Sequence, residues 1–600
     1  MKAMRYLYST LFASCFFLSL LGQNANTDFQ RELYLEKEYN PSLRDANKIN
    51  QLPEIREPEA PKMRVEFSDY TFDYRIAPYI SKLESKTYYS GFKTSQQRGY
   101  LNLSLGSLAN IDGDVGYQIL NSEENRLNIF GSHRSGSTKM TYLQHDNCTL
   151  ENSKMHLNDN AIGFDYGYHT NNLKLFADAN YVYSAFNYYG YPIINEGANL
   201  PALQEGYPLR VLDQNQTNNL FLMHVGTESM NVNEINLKAN VTYSFFRQSQ
   251  GEDFGRGRDE SRILGDFDLH TKFIGLAGYI RNYAYGLPLR LQSLSTGSWK
   301  NDTDGRAYGN YNYSVISVNP YFTFEDNDWN VRLGGSAHLQ FGGVKKLVLA
   351  PDIQFNWRPL DEMLFYLWIV GGIKDNSNYS AYYENRYVSP DYRVYDSKSP
   401  ADATLGFNFS ILPNLGIDLF TGYKWIMDEH FYVGNAVAGD DSSIKPRIIP
   451  LYMNAETFKL GGILKYSWPD IFETRVKLTY NQWKVDKWST LVDPGEMNLD
   501  LVAWNKPSFT GDVNVGFHVS DLPLWADIGY HLETGRKTLY HNEITNMRDI
   551  HAMNVQGTYT FKENFSAFAR INNFLFQKYD LWYGYPAQNF NIAGGISIKF

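Results

Sequence analysis

Chemistry at an enzyme site needs particular side chains at particular spacings, and the 12 histidines of this chain do not supply them. They are dispersed, with no HExxH pair for zinc, no glycine–lysine phosphate loop and no serine elbow between a strand and a helix. GEDFGRGRDE, 251–260, is glycine-rich and charged, yet it lies between strand-like runs and reads as a loop. Asp428, Asp440 and Asp441 carry the oxygen donors calcium prefers, but no calcium-loop spacing surrounds them. The 2 cysteines, Cys15 and Cys148, allow neither a disulfide framework nor a cysteine metal site in the mature chain. A barrel-embedded hydrolase would need a Ser/His pair on neighbouring strands, and the sequence singles none out. The reading is a chain that is not an enzyme and needs no cofactor.

The elements that would position side chains point elsewhere. Aromatic residues make up 16% of the chain, with 46 Tyr, 37 Phe and 11 Trp, which suits a wet-lumened barrel with an aromatic girdle better than an aliphatic core. Net charge is -10, so there is no nucleic-acid footprint. Lys2 and Arg5 precede a mostly apolar run, Tyr6 to Gly22, of signal-peptide type, with cleavage expected near Gly22-Gln23. No later run is long and apolar enough for a membrane helix, so embedding would have to be by strands.

Residues 23–97 are polar and charged, and 4 prolines fall within 23–62; they read as a periplasmic arm, in which Tyr34, Tyr39, Asn40 and Pro41 are candidate partner-docking residues. From about residue 99 a period of two takes over. Its cleanest run is Ile235, Leu237, Ala239, Val241, Tyr243 and Phe245, spaced by Asn236, Lys238, Asn240, Thr242 and Ser244. The apolar faces need covering, no helices are in sight to cover them, and lipid would. Short connections near 122–125, 169–172, 230–233, 271–273, 325–328, 358–361, 412–414, 468–470, 521–523 and 562–564 alternate with long polar stretches. The long stretches are expected as extracellular loops near 134–159, 181–216, 247–261, 284–309, 376–402, 426–447, 485–508 and 535–548. This predicts an all-β, antiparallel transmembrane β-barrel over 98–600, with about 22 strands and counts from about 18 also compatible. Trp329, Trp357, Trp468, Trp525 and Trp582 are the expected aromatic girdle. In the last strand, Ile596, Ile598 and Phe600 form the lipid-facing side.

The last forty residues, Phe561 to Phe600, resemble the barrel end of TonB-dependent outer-membrane receptors. Arg570, Asn572, Asn573, Phe574, Lys578-Tyr579, Gly584-Tyr585-Pro586, Phe590 and Lys599-Phe600 match in type, while Ala587-Gln588 depart from the usual pattern. The resemblance implies that Ile596, Ile598 and Phe600 act as a barrel-assembly signal read by the assembly machinery. The segment LYLEKEYNPSLRDANKINQLPEI resembles the amino-terminal region of plugless barrels of this kind from Bacteroidota. A full receptor carries a plug domain of well over a hundred residues, and 23–97 is too short and polar for one. Two functions follow as expectations for an integral protein of the bacterial outer membrane in contact with its lipid. One is a barrel for solute passage or uptake. The other is a non-transporting barrel serving as a structural or accessory subunit of an assembly or secretion complex, with an envelope protein partner closing or using it.

Overall fold

Ile235, Leu237 and Val241 are the apolar side of their strand, yet they are 50%, 43% and 46% exposed in the computed structural model. Their polar neighbours Asn236, Lys238, Asn240 and Thr242 point to the enclosed side, as the alternation of a pleated backbone requires. A strand turned this way is stable where a bilayer covers its outer face. The structure describes residues 97–143, 154–191, 215–229, 235–249, 258–271, 274–275, 282–297, 312–342, 346–390, 392, 394–412, 414–438, 444–468, 471–490, 500–519, 522–540 and 543–600. The expected leader and all but the end of the expected arm, with Tyr34, Tyr39, Asn40 and Pro41, lie outside these residues, as do Asp440 and Asp441.

The wall begins with β1 (Gly99–Gly106), β2 (Ile111–Asn121), β3 (Asn125–Lys139), β4 (Lys154–His169), β5 (Leu173–Asn187) and β6 (Asn215–Ser229). It continues through β7 (Ile235–Gln248), β8 (Asp259–Thr271) and β9 (Asn282–Thr296). The strand β10 runs as Asn312–Val318 and Tyr321–Glu325, broken where Pro320 lacks an N–H. Then come β11 (Trp329–Phe341), β12 (Lys346–Leu360), β13 (Met363–Lys374), β14 (Ser397–Leu412), β15 (Leu415–Ala438) and β16 (Ile444–Trp468). The ring ends with β17 (Phe472–Trp488), β18 (Phe509–Val519), β19 (Leu524–Thr534), β20 (Ile550–Lys562), β21 (Phe565–Asn572) and β22 (Asn591–Lys599). These 22 antiparallel strands close on themselves, because β1 pairs with β2 on one side and with β22 on the other.

The ten connections expected to be short join β2 to β3, β4 to β5 and so on to β20 and β21, all on the rim where β1 starts and β22 ends. Local chemistry tightens them: the Ser122 hydroxyl accepts the Asn125 N–H at 2.9 Å, and Thr170 accepts that of Leu173 at 3.0 Å. At the opposite rim the expectation needs correcting. Strand extends into 134–159, 181–216, 284–309 and 426–447, since β3 runs to Lys139, β5 to Asn187, β9 to Thr296 and β15 to Ala438. In 426–447 the period of two is lost for a physical reason. Phe431, Tyr432 and Val433 are consecutive and all buried, so both faces of that strand are covered by protein.

A row of register shifts marks where the wall turns into this covered region. They fall between Val370 and Gly372, Lys398 and Ala401, Ile426 and Glu429, and Asn454 and Ala455, on neighbouring strands β13 to β16. Bulges bend a strand and raise its twist. At one of them Asp428 adopts φ 57°, a left-handed conformation that Asp tolerates better than most residues. Its N–H donates to Asn454 Oδ1 at 2.9 Å, and its carboxylate accepts from Lys398 Nζ at 2.5 Å and Ser489 Oγ at 2.6 Å. Asp428 is thus a bulge residue on a strand, with its oxygens committed to Lys398 and Ser489.

Candidate functional site

The β13–β14 connection, residues 375–396, turns inward across the mouth of the barrel. Its helix α1 (Asn378–Glu384) starts at the N-cap Ser377, which forms a capping box with Ser380. Glu260 of β8 accepts the Asn378 N–H at 2.7 Å, placing a carboxylate at the first turn. The stem is gripped from three neighbouring strands. Arg262 of β8 pairs with Asp375, Gln292 of β9 donates to Asp375 at 2.5 Å, and the Tyr313 hydroxyl of β10 lies 2.8 Å from Asp375 and 2.9 Å from Asp396.

The far end is held elsewhere on the ring. Tyr382 donates to Ser184 of β5 at 2.7 Å, and Arg386 pairs with Asp159 of β4 at 3.1 Å. Glu384 lies 2.5 Å from His430 of β15 and 3.2 Å from Lys506 of the β17–β18 connection. Val388 bridges Ile448 of β16. In a ring of 22, β4–β5 and β15–β16 stand on opposite sides, so one connection braces the mouth across its width.

Aromatic packing fills the space around this brace. Tyr387 stacks on Tyr585 at 4.1 Å, Tyr189 meets both edge-on at 5.5 and 5.4 Å, and Phe186 stacks on Tyr382 at 6.0 Å. The Arg447 guanidinium lies 3.8 Å from the Tyr188 ring centre. Each such pair adds about 1 kcal/mol beyond the area it buries. Tyrosine suits the place because its hydroxyl finds a partner, as Tyr189 does in donating to the Pro586 carbonyl at 2.9 Å. A second layer packs on the other face of the β15–β16 hairpin: Phe431, Val433, Ile449, Leu451 and Met453 against Trp504 and Leu539.

The motif Gly584-Tyr585-Pro586 gains a structural meaning here. Gly584 has φ 83°, and a side chain on it would meet the Tyr191 carbonyl at 2.8 Å. Its N–H is accepted by Asp580 at 3.0 Å, and the resulting turn between Asp580–Trp582 and Tyr585–Pro586 drives Tyr585 into the cluster. Asn573 closes the start of the same loop, accepting the Gln577 N–H at 3.0 Å.

Two carboxyls in the connection are displaced in opposite directions. Burial pushes the Glu384 carboxyl up, but Lys506 and His430 beside it outweigh this and hold it well below its ordinary value. Burial raises Asp396 to about 7, with the nearby Asp375 adding to the effect. Below the brace the inner wall is ionic: Arg570 pairs with Asp112 at 2.6 Å, Arg332 with Asp352 at 2.7 Å and Arg290 with Asp266 at 2.6 Å. Among the described residues no three His, Cys, Asp or Glu side chains are grouped to hold a metal ion.

The architecture matches solved outer-membrane proteins. It is similar to the siderophore receptor PirA from Acinetobacter baumannii, with a TM-score of 0.60 and 10% identity over 85% of this chain and 81% of that one. The ferric enterobactin receptor PfeA from Pseudomonas aeruginosa gives a TM-score of 0.59 at 12% identity, over 84% and 81%. The FrpB iron transporter from Neisseria meningitidis gives 0.59 at 10% identity, again over 84% and 81%. The barrel has the fold of these receptors. No family model and no curated protein matches the sequence.

Within that fold the residues singled out from sequence separate into groups. Trp329 and Trp357 are register partners at the short-turn rim, Trp357 stacks on Phe365 at 5.6 Å, and Trp468 is exposed at the same rim. Trp525 lies at that rim too, but on the inner face, over Gly516 and beside His518. The period of two places it there, in step with Asp527 and His531. Trp582 is corrected outright: it sits in the β21–β22 loop at the opposite rim, edge-on to Tyr432 at 5.4 Å. Ile596 and Phe600 are exposed on the outer face, with Ile598 in step between them. The Arg98 and Gly99 N–H groups donate to the Phe600 carbonyl at 2.6 and 2.7 Å, and its ring stacks on Tyr117 at 6.1 Å. Sequence reasoning missed the brace residues Tyr382, Glu384 and Arg386. The run SNYSAYYENRY, with the capping Ser377 followed by two turns of polar and aromatic residues, was the available signal.

Proposed function

We propose that this chain is an outer-membrane barrel of the TonB-dependent-receptor type that passes or takes up a solute, its lumen shut at the outer mouth by the β13–β14 connection. The brace of residues 375–396, fixed to opposite sides of an ionic lumen wall, carries this reading. The likeness in fold to siderophore receptors and an iron transporter supports it. An ionic, wettable wall is what a solute path needs, and a braced lid keeps it from leaking.

In this reading residues 1–22 are a signal peptide and 23–97 a periplasmic arm in place of a full plug. The start of β1 beside Phe600 on the short-turn rim supports an arm on that side, with Tyr34, Tyr39, Asn40 and Pro41 docking a partner. Ile596, Ile598 and Phe600 serve as the assembly signal, so Phe600→Ala should lower the amount of barrel reaching the membrane.

The test uses proteoliposomes of the full chain. Asp159→Ala combined with Arg386→Ala should raise release of a small entrapped dye well above wild type. Equal release from both, together with a stoichiometric partner on gentle purification from native membranes, would favour the accessory-subunit reading.

A further inference from the structure

On the outer face of β3 to β6 the side chains change character from one row to the next. Register places Gly131, Ile162, Tyr181 and Phe221 in one row across the four strands. Ile162 and Tyr181 are 64% and 43% exposed, as lipid contacts are. The next outward row toward the long-loop rim is His133, Asn160, Tyr183 and Asn219, followed by Ser135, Asn158, Ala185 and Thr217. Above these Ser137 stands opposite His156, and at the top Lys139 stands opposite Lys154. The face thus passes from aliphatic to hydroxyl, amide and imidazole groups and ends in two ammonium groups. No carboxylate occupies these described outward positions.

Hydrogen bonds hold the polar groups in place. His133 Nδ1 lies 2.7 Å from Asn160 Oδ1, Asn160 donates to Asn158 Oδ1 at 2.7 Å, and Ser137 Oγ lies 2.9 Å from His156 Nδ1. A concavity of about 330 Å³ opens beside them, lined by Ser135, Ser137, His156, Asn158, Ala185 and Thr217. Lys139 and Lys154 have no acidic partner among the described residues. Like charges directly opposite on antiparallel strands repel, and an anion between them removes the cost.

We propose that this face binds the headgroup of an anionic saccharide lipid in the surrounding leaflet. The sugar hydroxyls occupy the concavity, and a phosphate or carboxylate lies between Lys139 and Lys154. Continuity of the surface identifies the occupant. A lipid whose chains lie along Ile162 and Tyr181 has its headgroup at the level of the rows above. Neutral donors and acceptors suit a polyhydroxylated group, while the lysine pair supplies the charge complement.

The test mixes the full chain in detergent with lipopolysaccharide or with phosphatidylglycerol, which is anionic but lacks sugar, and quantifies the lipid retained. Lipopolysaccharide should be retained in preference. Lys139→Glu with Lys154→Glu should reduce its retention about tenfold, and Asn158→Ala with Thr217→Ala should reduce it less while leaving phosphatidylglycerol unchanged. All four positions lie toward the ends of strands, and heat-dependent gel migration checks that each variant is a folded barrel. Full retention by the lysine variant would overturn the proposal. So would phosphatidylglycerol retained as well as lipopolysaccharide, or an equal loss caused by the lumenal change Lys477→Glu.

Discussion

The lower half of β7 and the upper half of β15 are both antiparallel strands, yet their side chains are spent differently. In β7 every second residue is apolar and about half exposed, because its outer face meets lipid and its inner face meets a wet lumen. In β15 beyond Asp428, consecutive residues Glu429 to Val433 are all buried, because protein covers both faces. The wall is held by its solvent, and the cap is held by specific contacts: tyrosine pairs, ion pairs and bulges. Damage to the wall should therefore act on insertion of the whole barrel. Damage to the cap should act on closure alone.

The largest effect is expected at the junction between the two. Asp428→Ala strips the buried Lys398 of its partner and should destabilise the cap by about 4 kcal/mol. Hydrogen exchange in 427–453 should quicken while heat-dependent gel migration stays that of a folded barrel. Loss of the barrel itself would erase the distinction between the regions. Next comes Val241→Arg, which places a charge against the bilayer at a cost of about 3 kcal/mol. Denaturant titration should show the whole barrel weakened, and a change confined to exchange in 375–396 would contradict the lipid-facing assignment. Tyr387→Phe is milder, about 1 kcal/mol, since the stack on Tyr585 survives and only the hydroxyl near Tyr189 is lost.

The smallest effects come from pH, and they have opposite signs. Asp396, raised to about 7, stabilises the stem fully below its unfolded value near 3.8, and that contribution is lost as pH rises through about 7. Glu384 is depressed below 4.5, so its contribution is present above that value and lost as pH falls through the lower folded one. Exchange at 376–388, corrected for the intrinsic rate, should therefore quicken at both ends of the range. Asp396→Asn should weaken the alkaline arm and leave the acid arm unchanged. A single arm in wild type would show that one of the two groups does not govern the connection.

The wall was readable from sequence because lipid and lumen impose opposite demands on alternate residues, so Ile235 to Phe245 announces itself. The strand count and the rim of short turns followed from the same rule. The cap was hidden for a complementary reason. Phe431-Tyr432-Val433 and Ile448-Ile449 have no periodicity, and a strand covered on both sides resembles any apolar run. Ser135, Ser137 and Asn158 read as loop in the sequence because they lie on the outer face above the apolar rows. Trp582 was assigned to the girdle from its neighbours in sequence, whereas the turn at Gly584 carries its loop into the mouth. The pairing of Arg386 with Asp159, 227 residues away, has no local signature at all.

Current through planar bilayers tests most directly whether the β13–β14 connection closes an otherwise open lumen. The full chain should conduct little. Replacing residues 378–388 by a flexible Gly-Ser segment, with gel migration confirming a folded barrel, should give a large and steady current. A wild-type barrel that conducts freely, or a replaced one that remains silent, would contradict the account.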